Sequence, residues 1–178
     1  GQNTVGKTVV VDLAQMPHLL IAGSTGSGKS VALNAMLISL LCARKPDELK
    51  LILIDPKRLE FTAYEHIAHL LLPIITDTRE AIPVLKWLAL MMDKRYAQMA
   101  TGGARNIFDY NALVDKNVLD KGEIDSNKIY ERMPFIVLVI DELADLMIMV
   151  GKEVEESIAR ITQMARAAGI HLVVATQR

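Results

Sequence analysis

The stretch "GSTGSGKS", Gly23–Ser30, separates the apolar run "HLLIA" at 18–22 from the apolar run "VALNAMLISLLCA" at 31–43. The two runs predict a buried strand and then a helix. The stretch fits the phosphate-loop pattern G-x-x-x-x-G-K-[ST], and its fixed positions are Gly23, Gly28, Lys29 and Ser30. Such a loop must follow a strand and open a helix, so this context favours a nucleotide site over a flexible Gly/Ser linker.

The residue types in this loop suit the binding of phosphates. Glycines let the backbone turn and bring its N–H groups close to the anion, and the start of the helix directs its positive dipole end to the same place. We expect Lys29 to contact the β- and γ-phosphates and the Ser30 hydroxyl to bind Mg²⁺. The predicted ATP-binding residues are Gly23, Thr25, Gly26, Ser27, Gly28, Lys29, Ser30 and Val31.

A second motif, which is acidic, follows the apolar run "FIVLVI" at 135–140 and consists of Asp141 and Glu142. Hydrolysis of ATP needs a residue that holds the metal and a group that orients the attacking water. We assign the metal role to Asp141 and the catalytic role to Glu142. A solvated acidic strand end is the alternative, and the phosphate loop in the same chain weighs against it. Asp145 is predicted on a helix surface.

The ends of two further predicted strands carry polar residues. "IHLVVATQ" at 170–177 ends in Thr176 and Gln177, and we predict Gln177 as the sensor of the γ-phosphate. For Thr176, a sensor role and a plain polar loop start are equally good interpretations. For Asp55, in the segment "DPK", a role in turn geometry is favoured over chemistry.

Strand-like and helix-like segments alternate along the chain, and the strands are continuous apolar runs. This pattern predicts an α/β fold with a mainly parallel sheet and helices on both faces. The predicted strands are 7–12, 17–23, 50–55, a short one near 71–76, 134–142 and 170–177. The predicted helices are 29–43, 77–100, 106–115 and 153–169.

Three helix ends carry specific expectations. Asp77 and Glu80 form a capping-box variant, whereas Pro83 predicts a kink or a later helix start. Gly169 is the expected C-cap of the helix at 153–169. The stripe formed by Val154, Ile158, Ile161, Ala165 and Ala168 predicts the buried face of that helix.

The helix at 29–43 is apolar nearly all round, which predicts that it is covered on most sides and that Cys42 is a buried apolar residue rather than a reactive thiol. Residues 116–132 are polar and irregular, and they predict a mobile loop.

The bulk composition limits the functional classes. The 178 residues are 51% hydrophobic and 23% charged, which favours one folded domain over disorder. The formal net charge of −1 excludes a binder of nucleic acids that acts through a strong overall positive charge, so any such contact is local. A single cysteine cannot form an intrachain disulfide, and no apolar run approaches the ~18 residues of a membrane span.

Segments along nearly the whole chain resemble the motor domain of the FtsK/SpoIIIE family of bacterial DNA translocases. The resemblance is carried by "MPHLLIAGSTGSGKSVALNAML", "LILIDPKRLEF", "YEHIAHLLLPIITD", "RYAQMA…GARNIFDYN" and "VLVIDELADLMIMVGKEVEESIARITQMARAAGIHLVVATQR". This extent makes it far more specific than a lone phosphate loop.

The resemblance implies that residues 1–178 are a RecA-like P-loop ATPase core and part of a motor domain. It implies ATP and Mg²⁺ as ligands and a homo-hexameric ring around double-stranded DNA. It also implies ATP-driven DNA movement in chromosome segregation at cell division or sporulation. In the family an N-terminal segment, absent from this sequence, attaches the cytoplasmic motor to the membrane. Two alternatives stay open, namely a related ring ATPase of protein secretion or conjugation, and a nucleotide-binding piece without turnover.

Two arginines are candidates for roles beyond the phosphate loop. Ring ATPases complete their site with an arginine from a neighbouring subunit. Arg160 has Glu156 four residues before it as an expected helical partner, so Arg166 is the predicted finger. A helix-end cation that offsets the dipole is the alternative for Arg166. Arg178 is the predicted contact to DNA phosphates, against a plain surface arginine.

Overall fold

The computed structural model describes residues 1–24, 26–116 and 130–177, except for the side chain of Val150. Thr25, Arg178 and residues 117–129 of the predicted loop at 116–132 lie outside the described residues.

Four parallel strands form one sheet in the order β1-β4-β3-β2. Their bounds are His18–Ala22 for β1, Leu49–Ile54 for β2, Phe135–Ile140 for β3 and Ile170–Thr176 for β4. Every residue of β4, and nearly every residue of β2 and β3, is buried. This burial on both faces explains why these strands read as unbroken apolar runs.

Helices cover the two faces of the sheet. Their bounds are Lys29–Ala43 for α1, Thr78–Thr101 for α2, Ile107–Asp115 for α3 and Leu143–Met164 for α4, and Thr62–Tyr64 forms one 3-10 turn. On one face, β-strand side chains such as Ile140 pack in a core with α2 and α4, and on the other face Val139 and Val173 pack with α1. The predicted α/β fold with helices on both faces is therefore confirmed.

The helix α1 has the predicted bounds but not the predicted coverage. Its buried residues are Lys29, Leu33 and Leu37, which repeat every four positions and form one stripe against the sheet. Val31 is 73% exposed and Cys42 is exposed as well. The expectations of a helix covered on most sides and of a buried Cys42 are wrong, because an apolar composition does not tell which sides other elements cover.

The helix α2 begins at Thr78, so the predicted later start after Pro83 is wrong. Asp77 is the N-cap, and its side chain accepts a hydrogen bond from the Arg79 N–H at 2.9 Å. Pro83 removes one backbone hydrogen bond, that to the carbonyl of Arg79. The cap and the burial of side chains such as Leu85 keep this first part helical.

The predicted strands at 7–12 and 71–76 do not form. Residues near the first form an isolated antiparallel bridge between Gln2 and Thr8, with backbone hydrogen bonds between Gly1 and Val9 and between Asn3 and Lys7. Along the second, single parallel bridges join Leu51 to Leu70 and Ile54 to Ile75. The segment at 70–75 thus touches β2 at two points without the continuous ladder of a strand.

The helix α4 begins at Leu143, well before the predicted position 153, because Glu142 acts as its N-cap. It ends at Met164 with Ala165 as the C-cap, so the expected capping role of Gly169 is wrong. Gly169 has a left-handed φ of 69° and turns the chain into β4 instead. The predicted buried stripe of this helix is confirmed, since Val154 and Ile161 are fully buried.

Among the described residues, no helix combines the length and the apolar character that a membrane span requires.

Candidate functional site

The carboxyl ends of the four strands lie along one edge of the sheet, which we call the loop edge. The register pairs Ala22 with Thr176, Ile140 with Val174, and Ile54 with Ile140. Each strand is followed at this edge by a segment that the sequence singled out: the phosphate loop after β1, Asp55 after β2, Asp141 with Glu142 after β3, and Gln177 after β4. The parallel topology therefore brings residues that are far apart in sequence to one place.

The backbone of the phosphate loop needs its glycines. Gly26 and Gly28 have left-handed φ angles of 81° and 91°, which other residues adopt only with strain. A Cβ added to Gly23 would lie 2.3 Å from Ser27 Oγ, so the loop also closes tightly on itself. Among the described residues, no side chain caps the start of α1 and its first turn holds no acid. Its N–H groups and its positive dipole end are thus suited to an anion.

The ammonium of Lys29 lies between the two acids that follow β3. Its Nζ donates to the Asp141 carbonyl at 2.7 Å, and it lies 3.2 Å from Asp141 Oδ1 and 3.7 Å from Glu142 Oε2. All three side chains are almost fully buried. The structure thus joins the predicted phosphate-binding lysine, the predicted metal residue and the predicted catalytic acid in one cluster.

Burial and charge act differently on the two acids. Burial raises the pKa of Asp141, and the positive charge of Lys29 only partly offsets that rise. Burial also favours a higher pKa for Glu142, but hydrogen bonds from Thr176, Gln177 and Ala144 outweigh it, and the pKa of Glu142 is lowered. Glu142 is therefore the acid that stays ionised more readily, as a base requires.

Among the described residues, three donors form hydrogen bonds with the Glu142 carboxylate. Its Oε1 accepts the Thr176 hydroxyl at 2.8 Å, the Gln177 N–H at 3.2 Å and the Ala144 N–H at 3.3 Å. The last bond is the N-cap of α4, so the local fold of the helix start fixes this side chain. Of the two strand-tip candidates, Thr176 contacts Glu142 with a buried side chain, whereas Gln177 contacts it through the backbone.

Sequence reasoning missed Glu60 as a site residue. The Ser30 hydroxyl donates to Glu60 Oε1 at 2.6 Å. Asp55 Oδ2 accepts the N–H groups of Glu60 and Phe61, so the expected turn role of Asp55 is confirmed. Glu60 stands in the segment "DPKRLEF", but the chain itself gives no signal that pairs it with a serine on another element.

Two other predicted residues lie at the margin of the cluster. Val31 belongs to the first turn of α1 and is exposed. Asp145 is partly exposed on α4, as expected, and its carboxylate lies 3.2 Å from Lys57 Nζ.

The two arginines of the α4 region differ from the prediction in one respect. Arg160 bonds Asp93 on α2 at 2.7 Å, so the expected pairing with Glu156 is wrong. Arg166 is exposed, and its side chain forms no ion pair or hydrogen bond with any residue that the structure describes. It lies beyond the end of α4 near the start of β4, and the seven residues of β4 separate that edge from the loop edge by about 20 Å at ~3.3 Å per residue.

The residues of the loop edge fit a nucleotide and Mg²⁺. The uncapped start of α1 and the glycine backbone suit phosphates. Asp141 offers a buried carboxylate whose Oδ1 lies 3.2 Å from Lys29 Nζ, and Ser30 offers the lone pairs of its hydroxyl in the first turn of α1. Oxygen donors of this kind are those that Mg²⁺ prefers. Ser30 and Asp141 are the residues that would hold the ion.

Comparison with known sequences relates the whole chain to one family. A sequence profile described as "FtsK/SpoIIIE family" matches residues 1–178. The DNA translocase FtsK of Pseudomonas syringae pv. tomato is 50% identical over 190 residues, an alignment that covers 100% of this chain and 24% of that protein. The chain thus spans about a quarter of the length of such curated relatives.

Comparison with solved structures gives P-loop ATPases with the same fold. The pCW3 conjugation coupling protein TcpA, in a monomer form with ATPγS, superimposes with a TM-score of 0.76 at 29% identity, over 99% of this chain and 47% of that one. The cytoplasmic domain of the type VII secretion ATPase EccC of Thermomonospora curvata gives 0.77 at 27% identity, over 100% and 21%.

Proposed function

The chain belongs to the FtsK/SpoIIIE family, and on that premise we propose that it is the ATP-hydrolysing core of a motor that moves double-stranded DNA. The observation that carries the proposal is the position of Lys29 Nζ, within 4 Å of both Asp141 and Glu142 at the end of the phosphate loop. A site that only bound nucleotide would need the loop but not the oriented acid.

We assign the binding of ATP to the loop and the start of α1. The backbone N–H groups of Gly26 to Ser30 would bind the phosphates, and the ammonium of Lys29 would contact the β- and γ-phosphates. Ser30 and Asp141 would hold Mg²⁺. Bound Mg²⁺ neutralises the negative charge that develops on the phosphates during transfer.

Glu142 acts as the base that orients the attacking water and takes its proton. Its lowered pKa keeps it ionised at neutral pH, and the Thr176 hydroxyl holds it in place. Gln177 stands at the tip of β4 beside this carboxylate, and we propose that its side chain senses the γ-phosphate. Hydrolysis is thereby linked to a change at the end of a central strand.

We propose that Arg166 completes the site of a neighbouring subunit. It lies at the edge of the sheet opposite its own phosphate loop, so it cannot reach the nucleotide of its own chain. A ring of identical subunits, a homo-hexamer as the family resemblance implies, places one such arginine against each nucleotide. ATP binding then controls the contact between subunits.

The DNA contacts are proposed for the duplex backbone, because a motor that moves along any sequence must bind phosphates rather than base edges. With a net charge of −1, the chain holds DNA through a few local cations, of which Arg178 is our candidate. We place the motor in the bacterial cytoplasm, in a protein anchored in the inner membrane, acting in chromosome segregation at division or sporulation.

A second candidate is a ring ATPase of conjugation or secretion. The similarity to TcpA and EccC favours it, since both share the fold over nearly the whole chain. The identity of 50% to a DNA translocase is well above the 29% and 27% to those proteins, and it favours the DNA motor.

The test compares ATP hydrolysis with and without duplex DNA, for the protein and for Glu142→Gln. Glu156→Gln, an exposed residue on α4, is the matched control. We expect duplex DNA to raise the rate and Glu142→Gln to abolish it, with Glu156→Gln unchanged. A rate that depends on Glu142 but not on DNA would favour the secretion candidate. Equal near-zero rates for the protein and Glu142→Gln would make this a nucleotide-binding module.

A further inference from the structure

We propose that Glu60 is the positioning residue that orients the Ser30 hydroxyl as a ligand for the divalent cation. The inference rests on the proposed binding of ATP with Mg²⁺ and adds a residue to that site. It starts from one contact, in which Ser30 Oγ donates to Glu60 Oε1 at 2.6 Å. That distance is typical of a hydroxyl bound to an ionised carboxylate.

A hydroxyl has one proton and two lone pairs. Because the Ser30 O–H donates its hydrogen bond to Glu60, the lone pairs of Ser30 Oγ point away from Glu60 and are available to a cation. Carboxylates that accept the proton of a metal ligand fix its orientation and increase its basicity. Glu60 therefore lies where such a supporting carboxylate is needed, because it is hydrogen-bonded to the Ser30 hydroxyl that would bind the cation.

The position of Glu60 is fixed by the fold of its own loop. Asp55 is 1% exposed, and its Oδ2 accepts the N–H of Glu60 at 2.9 Å and that of Phe61 at 3.1 Å. Phe61 is fully buried against the α1 face of the sheet. The backbone of Glu60 is thus held between a buried acceptor and a buried ring.

A second connection ties the same loop to α1. Tyr64 donates its hydroxyl to Asn34 Oδ1 at 2.6 Å, and Asn34 Nδ2 donates to the Ser30 carbonyl at 3.0 Å. The segment from Asp55 to Tyr64 therefore holds Ser30 at two points, through the side chain and through the carbonyl. A surface carboxylate that met Ser30 by chance would not have this double support.

Asp141 does not fill this role, although it is the acid assigned to the metal. Its Oδ1 and its carbonyl both lie against Lys29 Nζ, at 3.2 Å and 2.7 Å. Among the described contacts, Glu60 accepts the hydrogen bond of the Ser30 hydroxyl, whereas Asp141 contacts Lys29 and not Ser30. Removal of Glu60 should weaken the cation and leave the phosphate contacts in place.

The test measures the affinity for a fluorescent ADP in EDTA and in MgCl₂, for the protein and for Glu60→Ala, Glu60→Gln and Glu60→Asp. We expect Glu60→Ala to reduce the gain in affinity from Mg²⁺ by about tenfold or more, with a change of less than about twofold in EDTA. Glutamine keeps the reach and an acceptor oxygen, so it should retain more of the gain than aspartate, which is one methylene shorter. Glu65→Ala, an exposed change in the same loop, is the control.

Ser30→Ala provides an internal check, since Glu60→Ala should cause no further loss of the Mg²⁺ gain in that background. An unchanged Mg²⁺ gain in Glu60→Ala, or an equal loss with and without Mg²⁺, would overturn the inference while the proposed function stands. If Glu60→Ala does not fold, as judged by its circular dichroism, the other two variants decide. A gain in ADP affinity from Mg²⁺ that is as large in Glu60→Asp as in Glu60→Gln, or larger, would overturn the inference. A protein that binds no nucleotide even with MgCl₂ overturns both the inference and the proposed function.

Discussion

Glu142 and Thr176 are joined by a buried hydrogen bond of 2.8 Å between the carboxylate Oε1 and the hydroxyl. Glu142 follows the end of β3 as the N-cap of α4, and Thr176 is the last residue of the neighbouring strand β4. The bond links Glu142, the residue proposed to orient water, to the strand that ends beside the phosphate loop, where the Gly23 N–H donates to the Thr176 carbonyl at 3.2 Å. A change at the phosphates can therefore reach the base through a single side chain.

Thr176→Val should reduce the turnover of ATP about tenfold and leave the affinity for ADP unchanged, because valine keeps the shape but not the donor. The hydrogen bond from Thr176 helps to lower the pKa of Glu142. Its loss raises that pKa, so the acidic limb of the pH–rate profile should move to higher pH. Steady-state rates between pH 5 and 9 measure the shift, with Thr176→Ser as the control. Turnover that falls without any shift of the profile would show that Thr176 does not act on the carboxylate.

Arg166→Ala should abolish ATP turnover in the assembled protein and spare nucleotide binding, because the guanidinium is proposed to act on the site of a neighbouring subunit. Arg160→Ala, on the preceding helix α4, is the control, since Arg160 is engaged with Asp93 of its own chain. The decisive measurement mixes Arg166→Ala subunits with Lys29→Ala subunits. Mixed rings should recover part of the activity, because some sites then combine an intact loop with an intact arginine. Mixtures as inactive as either parent would contradict a role across the interface.

Local patterns in the sequence were sufficient to predict the parallel sheet and to place the phosphate loop, Asp141 and Glu142 after its strands. The bounds of α1 were also predicted, at 29–43. In each case the signal lies within a few neighbouring residues, as an apolar run or as glycines at a fixed spacing. Such signals depend on backbone geometry, which the local chain determines.

Contacts across the fold could not be predicted in the same way. Glu60 reaches Ser30 on α1 from the segment after β2, and Arg160 on α4 reaches Asp93 on α2, so both contacts depend on how distant parts of the chain pack together. The prediction that α1 is covered on most sides was wrong for a similar reason. The composition of a helix does not show which of its apolar sides other elements will cover, and Val31 and Ile38 are exposed. The early start of α4 was missed because Glu142 was assigned to chemistry, although it is also an N-cap.

Lys29→Ala should destabilise the folded protein by about 3 kcal/mol at pH 7, because it leaves buried Asp141 without a countercharge. Burial raises the folded pKa of Asp141 above its ordinary value of 3.8, and Lys29 limits the rise. A raised acid pKa means that stability is lost as pH increases through the window above 3.8. Without Lys29 this window extends upward, so the loss of stability caused by Lys29→Ala should become smaller toward pH 4.

Urea unfolding at several pH values measures this loss of stability, and Asp141→Asn in the Lys29→Ala background should restore most of it. A deficit independent of pH would contradict this account.

His171 should make the protein less stable in mild acid. Burial, with smaller effects from His18 and Arg166, lowers its pKa below the ordinary 6.5, while the Pro17 carbonyl and Asp12 oppose the shift. Because the folded state then binds fewer protons than the unfolded state, stability is complete above about pH 6.5 and is lost as pH falls through this window.

His171→Asn should lose less stability than the parent between pH 7.5 and pH 5.5, by on the order of 1 kcal/mol. The dependence should not vanish, because burial also lowers the pKa of His18. Thermal melts across this range measure the difference, and His66→Asn, at an exposed position, is the control. Parallel pH profiles for His171→Asn and the parent would exclude His171 as the titrating group.

Gly169→Ala should destabilise the fold more than Gly103→Ala, although the two glycines have nearly the same left-handed φ, 69° and 68°. The backbone strain of about 1 kcal/mol is therefore common to both. A Cβ on Gly169 would lie 2.4 Å from Ile107 Cδ1 and 3.2 Å from Phe135 Cδ1, whereas one on Gly103 meets nothing within 4 Å. The crowding should add roughly 1–3 kcal/mol at Gly169 alone. Urea denaturation of both variants measures the difference.

Ile107→Val removes the atom in closest contact, so its combination with Gly169→Ala should cost less than the sum of the two changes. Equal losses for the two alanine variants, or strict additivity with Ile107→Val, would show that the turn into β4 relaxes around the added methyl group.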